Sequence, residues 1–246
     1  MREFLNKYFF RNSLPKEALK RLIFGFHPKS VNKIRLGIGK GLLMYMNPYA
    51  ASQRIFGLYE IEIQNYFRAF SPQCDYFVDI GAADGYYSLI YRKYNKHGRI
   101  LICDGGTGNS EQQKRNLALN NFTLENISFQ DKKWIWDVSN NECIRIDDLI
   151  LDSNRSYFFK IDVDGNELKV LKGGSSHFKN NQCCFIVETH SLALENACID
   201  FLKGFQYECR IIKNSLLRII LPELRKPCEH NRWIVAAKNI ALSSNR

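Results

Sequence analysis

The sequence predicts an α/β fold, a largely parallel sheet with helices on both faces, and three observations carry that prediction. From residue 76 onward, short apolar runs rich in aromatic and β-branched residues alternate with segments of helical periodicity. The first run, Tyr76-Phe77-Val78, stops on Asp79, and two glycines, Gly81 and Gly85, follow before a helix-like stretch begins. At 246 residues and 45% hydrophobic, the chain can bury one large core, so a single α/β domain with an extension accounts for its length.

The elements follow in chain order. Pro15 opens a predicted helix, PKEALKRLIFGF, in which Ala18, Leu19, Leu22, Ile23 and Phe26 keep helical spacing. That face docks most simply on the chain's own core, a partner or a membrane surface being the alternatives. RLGIGKGLLMYM reads as a glycine-rich connector, and LYEIEIQNYFRAF, residues 58–70, as a second helix. Strands are expected at 76–80, 99–104, 126–130, 157–163, 183–190, 206–213 and 232–238. Helices are expected at about 85–96, 109–121, 166–172 and 192–203. Residues 1–56 are thus a basic, partly helical N-terminal extension and residues 57–246 the α/β domain.

The net charge of +10 is unevenly spread: residues 1–50 carry +8, residues 51–209 carry −4 and residues 210–246 carry +6. Basic ends of this kind either attract an anionic partner, such as a nucleic acid, or are ordinary solvated surface, the simpler reading. The eight cysteines (74, 103, 143, 183, 184, 198, 209 and 228) form no C-x-x-C pair, and no signal peptide precedes them. Reduced thiols and a cytoplasmic location are expected. No apolar stretch approaches the ~20 residues of a membrane-spanning helix.

The chemistry concentrates in three places. In VDIGAADGYY the spacing is D-x-G-x-x-x-G, set in a strand-to-helix turn where free N–H groups and the positive end of a helix dipole face a ligand. It lacks one glycine of the dinucleotide fingerprint, so a small anionic group such as an amino-acid carboxylate suits it better than a pyrophosphate. Asp104 ends the second strand 19 residues after Gly85, close to the offset at which an acid meets ribose hydroxyls. Alone it would read as a cap on the turn GGTGNS; joined to the glycine turn it points to a nucleoside cofactor.

The second place is KIDVDGNELKVLKGG, residues 160–174, where Lys160, Asp162 and Asp164 alternate along a strand and share one side. Lys160 is expected to pair with a carboxylate and Asp164 to cap the helix that begins near Asn166. Asp162 is left to bind something, because a carboxylate beside a buried strand is costly without a partner. The third is FIVETH, which sets Glu188 and His190 on one side of the next strand. His190 suits a general base for a substrate hydroxyl, and Glu188 could orient it or bind a hydroxyl itself. Asp162, Glu188 and His190 would also make an oxygen-and-nitrogen site for a divalent metal. The metal-free base is favoured, with a structural His190 as the plain alternative. His27, His97, His177 and His230 read as surface or loop residues, and Cys183 and Cys184 as packing on opposite faces of one strand.

VDIGAADGYYSL, KIDVDGNELKVLKGG and FIVETH, in that order and at these separations, resemble the FkbM-type S-adenosylmethionine-dependent methyltransferases over roughly residues 57–238. The resemblance implies a Rossmann-like class I methyltransferase sheet of seven strands in the order 3-2-1-4-5-7-6, the last strand antiparallel. It implies that Asp79, Gly81, Ala82 and Gly85 surround the methionine part of S-adenosylmethionine, that Asp104 meets the ribose and that Asp131 reaches the adenine amine. Asp162, Glu188 and His190 would face the methyl acceptor, a hydroxyl on a sugar, glycoconjugate or secondary metabolite. The family's strand-2 acid is usually followed by proline, whereas Asp104 is followed by Gly105-Gly106-Thr107-Gly108, and its V-E-G reads V-D-G here. Two other functions stay open: a nucleic-acid methyltransferase, suggested by the basic ends, and a non-catalytic cofactor-binding module that engages a partner.

Overall fold

The computed structural model describes residues 22, 29–105, 109–149, 151–215 and 230–238. The helix expected over residues 15–26 lies, apart from Leu22, outside these residues, as do residues 106–108 of the loop after Asp104. An antiparallel hairpin of β1 (Ser30–Lys33) and β2 (Leu43–Met46) precedes two helices, α1 (Ser52–Ile55) and α2 (Gln64–Phe70). Strands and helices then alternate: β3 (Tyr76–Ile80), α3 (Tyr86–Tyr94), β4 (Arg99–Cys103), α4 (Ser110–Leu119) and β5 (Ile127–Gln130). A two-residue parallel pair, β6 (Trp134–Ile135) and β7 (Cys143–Ile144), leads to β8 (Ser156–Ile161). Helices α5 (Glu167–Lys172) and α6 (Ser175–Asn180) come before β9 (Gln182–Thr189); α7 (Leu192–Gly204), β10 (Glu208–Ile212) and β11 (Arg232–Ala237) complete the described chain.

Seven strands form one sheet in the order β10-β11-β9-β8-β3-β4-β5. Only β11 runs against both of its neighbours, β9 and β10, and the other strands are parallel. Counted by chain position within the sheet, the order is 3-2-1-4-5-7-6. β3 lies centrally between β4 and β8, so the winding reverses there and leaves a crevice over the carboxyl ends of these strands.

The two-residue side-chain period of the strands builds two cores. Phe77, Phe158, Ile186 and Val235 face α2, α3 and the hairpin, whereas Val78, Phe159, Phe185 and Ile234 face α5, α6 and α7. Cys184 and Cys183 belong to the first and second core respectively, on opposite faces as expected, and the seven described cysteines are free thiols. No helix among the described residues is long and apolar enough to cross a membrane.

Two expectations for the N-terminal part are corrected. RLGIGKGLLMYM is the turn and second strand of the β1–β2 hairpin, not a connector. Gly37 and Gly41 have φ +70 and +96, as the turn requires, and Met44 and Met46 alternate into the core. The hairpin is pinned to α4, where Asn116 Oδ1 accepts from Tyr45 N and Asn120 Oδ1 from Leu43 N, each at 2.8 Å. The helix expected from residue 58 starts only at Gln64, because Glu60 has φ +44 and cannot continue a right-handed helix. The Gln64 side-chain amide instead donates to Gly57 O and Tyr59 O and folds this segment over the sheet end. Helix α6 and the β6–β7 pair have no counterpart in the expected elements.

Candidate active site

The glycine turn sits where β3 meets α3. Gly81 N and Ala82 N both donate to Cys103 O, at 2.9 and 3.2 Å, which ties the turn to β4. Gly81 has φ +80, and a Cβ added there would stand 1.8 Å from the carbonyl oxygen of Asp162, so the turn and the residue after β8 pack backbone against backbone. Gly85 also has φ +80 and opens α3, but a Cβ there would meet nothing closer than Gln113 Cγ at 3.4 Å. Between the glycines, Ala83 has φ +47. Helix α4 holds this turn through Gln113 Nε2, which donates to Ala83 O at 2.7 Å, and Asn116 Nδ2, which donates to Asp84 O at 2.9 Å.

A cavity of about 520 Å³ opens over the turn, within the range of small-molecule and cofactor sites. Asp79, Gly81, Ala82, Asp104 and Asp162 line it; Gly85 and Asp131 do not, Asp131 lying instead near the Lys114 ammonium. Asp79 is buried and accepts from the Ser88 hydroxyl at 2.7 Å. Burial pushes its carboxyl up to about 6, against the opposing pull of Ser88 and Lys160. Asp104 accepts from Asn109 Nδ2 at 2.6 Å. The glycine that follows Asp104 has a structural reason: a Cβ on Gly105 would lie 2.7 Å from the Trp134 ring and 2.9 Å from its Cα, so a proline there would expel Trp134 from the cavity wall.

The opposite wall carries a buried charge cluster at the ends of β8 and β9. Lys160 Nζ lies 3.4 Å from Asp162 Oδ2, 3.9 Å from Glu60 Oε2, 3.9 Å from Glu188 Oε2 and 5.0 Å from the Tyr87 ring centre. Burial works to lower the Lys160 pKa, but the carboxylates around it, Asp162 first and then Glu60, Glu188 and Asp79, outweigh it and hold the ammonium above its ordinary value. Tyr87 Oη donates to Glu60 Oε2 at 2.6 Å. His190 Nε2 faces Asp162 Oδ1 at 3.7 Å, Asp164 Oδ1 at 3.5 Å and Glu167 Oε1 at 3.8 Å. The Asp162 carboxylate, opposed by burial and helped by Glu167 and Asp164, holds His190 above its ordinary pKa of 6.5.

These distances correct several expected roles. His190 Nε2 faces Asp162, Asp164 and Glu167, and Glu188 Oε2 lies 3.9 Å from Lys160 Nζ. Asp164 is not the helix cap: Asn166 occupies that position without a side-chain cap bond, and Asp164, at φ +50, reaches His190. Glu167, fully buried, fixes the intervening loop by accepting from Val163 N at 3.3 Å and Gly165 N at 3.1 Å. His177 is no surface residue; its ring stands edge-on to Tyr157 at 4.3 Å, and burial lowers it to about 4. His230 Nε2 lies 3.3 Å from Glu195 Oε2 rather than in a partnerless loop. His97 is exposed and His27 lies outside the described residues.

Asp162, Glu188 and His190 each offer an atom within 4.8 Å of the others, an oxygen-and-nitrogen set chemically suited to a divalent ion. Lys160 already supplies positive charge to both carboxylates. Sequence reasoning missed Glu60, Arg54, Tyr59, Tyr87 and Glu167 as parts of this region. Glu167 had a signal, as the acid that closes the D-G-N-E segment; Tyr59 and Glu60 come from the lead-in to α2, which by periodicity read as ordinary helix, and Arg54 from α1, inside the stretch expected as the N-terminal extension.

Residues 137–209 match the family model of the methyltransferase FkbM domain, a span that holds Asp162, Glu167, Glu188 and His190 but not the glycine turn. Among solved structures, the chain is similar to methyltransferase FkbM from Methylobacillus flagellatus KT, at 16% identity and a TM-score of 0.53, over 65% of this chain and 42% of that one. The match therefore spans less than half of that protein. M. jannaschii TYW2 in complex with AdoMet aligns at 15% identity and a TM-score of 0.51, over 87% of each chain. Geranyl diphosphate methyltransferase in complex with GPP and sinefungin aligns at 11% identity and a TM-score of 0.51, over 96% of this chain and 98% of that one. No curated protein matches the sequence. The fold is that of the class I S-adenosylmethionine-dependent methyltransferases.

Proposed function

We propose, from the premise that this is an S-adenosylmethionine-dependent methyltransferase with an FkbM-type domain, that it methylates a hydroxyl oxygen on a sugar, a glycoconjugate or a secondary metabolite. One observation supports the reading above the others: the cavity over the glycine turn and Asp104 is continuous with a wall on which Asp162 stands between Lys160 and His190. The glycine turn and Asp162, the carboxylate that faces His190, then border one space.

Asp79, Gly81, Ala82 and Asp104 are assigned to hold the cofactor, which when bound supplies an electrophilic methyl group on a sulfonium. What remains for the protein is alignment of the acceptor and removal of its proton. His190 takes the hydroxyl proton, and Asp162 and Glu167 stabilise the imidazolium that results. Lys160 holds Asp162 in place, its buried ammonium being nearer to that carboxylate than to Glu60 or Glu188. Tyr59 and Tyr87 offer aromatic faces beside these acids, a combination suited to a polyhydroxylated ring.

The reading is tested by transfer of a labelled methyl group to a panel of sugars, glycoconjugates, hydroxylated small molecules and RNA, with and without a chelator. Label on a hydroxylated small molecule or glycan, undiminished by chelation, is the expected result. Label on RNA alone would replace the acceptor class, and loss on chelation would assign a metal to Asp162, Glu188 and His190. Absence of demethylated cofactor with every acceptor would favour the non-catalytic partner module.

A further inference from the structure

A second cavity, of about 400 Å³, adjoins the first, and the two share Arg54, Tyr59, Ala83 and Asn109 in their walls. At this border the Arg54 guanidinium forms an ion pair with Asp84, each side chain being 17% exposed. Arg54 Cζ lies 4.7 Å from the Tyr59 ring centre and 5.3 Å from that of Tyr86. Among the described residues, the second carboxylate oxygen, Asp84 Oδ1, is buried and accepts no hydrogen bond. A buried ion pair is poor evidence of stabilisation, because desolvation offsets the attraction. This one is also set beside Ala83 at φ +47, a backbone conformation unfavourable to a residue with a Cβ. A strained non-glycine turn that holds a partly buried acid, its Oδ1 buried and unsatisfied, at a cavity border points to a ligand.

We infer that Arg54 and Asp84 clamp the amino-acid end of the cofactor, the guanidinium taking its α-carboxylate and Asp84 its α-ammonium; this rests on S-adenosylmethionine being the cofactor. The protein pair is neutral and an α-amino acid is a zwitterion, so exchanging one buried ion pair for two brings no net charge into the site. The guanidinium presents five N–H donors in a planar fork that matches a carboxylate, and only part of that fork faces Asp84. The placement is consistent with the rest of the wall. Asp104 lines the first cavity alone, Asp84 the second alone, and the glycine turn lies between them. The nucleoside therefore lies towards Asp104, and the tail crosses the turn towards Asp84.

The clamp is tested by calorimetric titration of wild type, Arg54→Met, Arg54→Lys and Asp84→Asn with S-adenosylhomocysteine and with 5′-methylthioadenosine, which keeps the nucleoside and sulfur but lacks the amino-acid end. Wild type should prefer S-adenosylhomocysteine. Arg54→Met should weaken that ligand about ten- to a hundredfold, the worth of a hydrogen bond to a charged group, and leave 5′-methylthioadenosine within about twofold. Arg54→Lys keeps a charge facing Asp84 and so guards against a folding defect; it and Asp84→Asn should show the same selective loss in smaller degree. Equal losses for both ligands, or no loss for either, would overturn the clamp. So would a wild type that binds 5′-methylthioadenosine as tightly as S-adenosylhomocysteine, which would still leave the cofactor assignment standing. A wild type that binds neither ligand would end that assignment and the clamp with it.

Discussion

Gly81→Ala should lower cofactor affinity at least about a hundredfold and destabilise the fold by roughly 2–5 kcal/mol, the sum of a left-handed backbone cost and of forced overpacking. The added Cβ would stand 1.8 Å from the Asp162 carbonyl oxygen, and no flexible side-chain end is available to yield. Both partners directly follow central strands in fixed register, with Ile80 opposite Ile161 and Asp162 N donating to Ile80 O at 3.0 Å. The strand end after β8 must therefore move, and Asp162 would leave Lys160 and His190 together. Gly85→Ala is the control: it carries the same positive φ but meets only Gln113 Cγ at 3.4 Å, so it should cost only the ~1–2 kcal/mol of the left-handed conformation. Urea unfolding and cofactor titration of the two variants check the contrast, and equal effects would show that the Gly81 contact does not govern the site.

His190→Ala should cut turnover on a hydroxyl acceptor about a hundredfold or more while leaving cofactor affinity unchanged. The pH dependence carries a sign. Because Asp162 raises the His190 pKa above 6.5, the free base forms only as pH rises past that raised value, so the acid limb of kcat/KM should have its midpoint above 6.5. The same shift favours the protonated folded state, so its contribution to stability is fully present below 6.5 and is lost as pH rises through the raised value. Asp162→Asn removes the largest cause of the rise and should move both the acid limb and the proton NMR titration of His190 to lower pH. A His190→Ala enzyme with full turnover would return the imidazole to a structural role.

The sheet was legible in the sequence because each central strand is a continuous apolar run bounded by a turn, and because Asp79-x-Gly81 and Lys160-x-Asp162 mark strand ends. Asp162, Glu188 and His190 were found for the same reason: two-residue periodicity places side chains on one side of a strand without knowledge of the partner. Their pairing was not legible. That Lys160 sits 3.9 Å from Glu188 and His190 3.7 Å from Asp162 depends on separations between adjacent strands, which no periodicity encodes. Glu60 was missed because LYEIEIQNYFRAF scores as helix throughout, while the structure breaks it at Glu60 to bring that carboxylate onto Tyr87, and Arg54 because it falls in the stretch assigned to the N-terminal extension. Glycines misled in RLGIGKGLLMYM, where the alternation L-M-Y-M carried the strand signal. The G-G after Asp104 reads as loose loop until Trp134 is seen packed against it.

The most direct test of the central claim is calorimetric titration of the purified, metal-stripped protein with S-adenosylmethionine and S-adenosylhomocysteine, with NAD as the control. The cavity over Gly81, Ala82 and Asp104 should bind both sulfur nucleosides and not NAD, since the turn lacks the third glycine of a pyrophosphate cradle. Binding of neither sulfur nucleoside, or of NAD in their place, would contradict the assignment of this cavity and the methyl-transfer chemistry built on it.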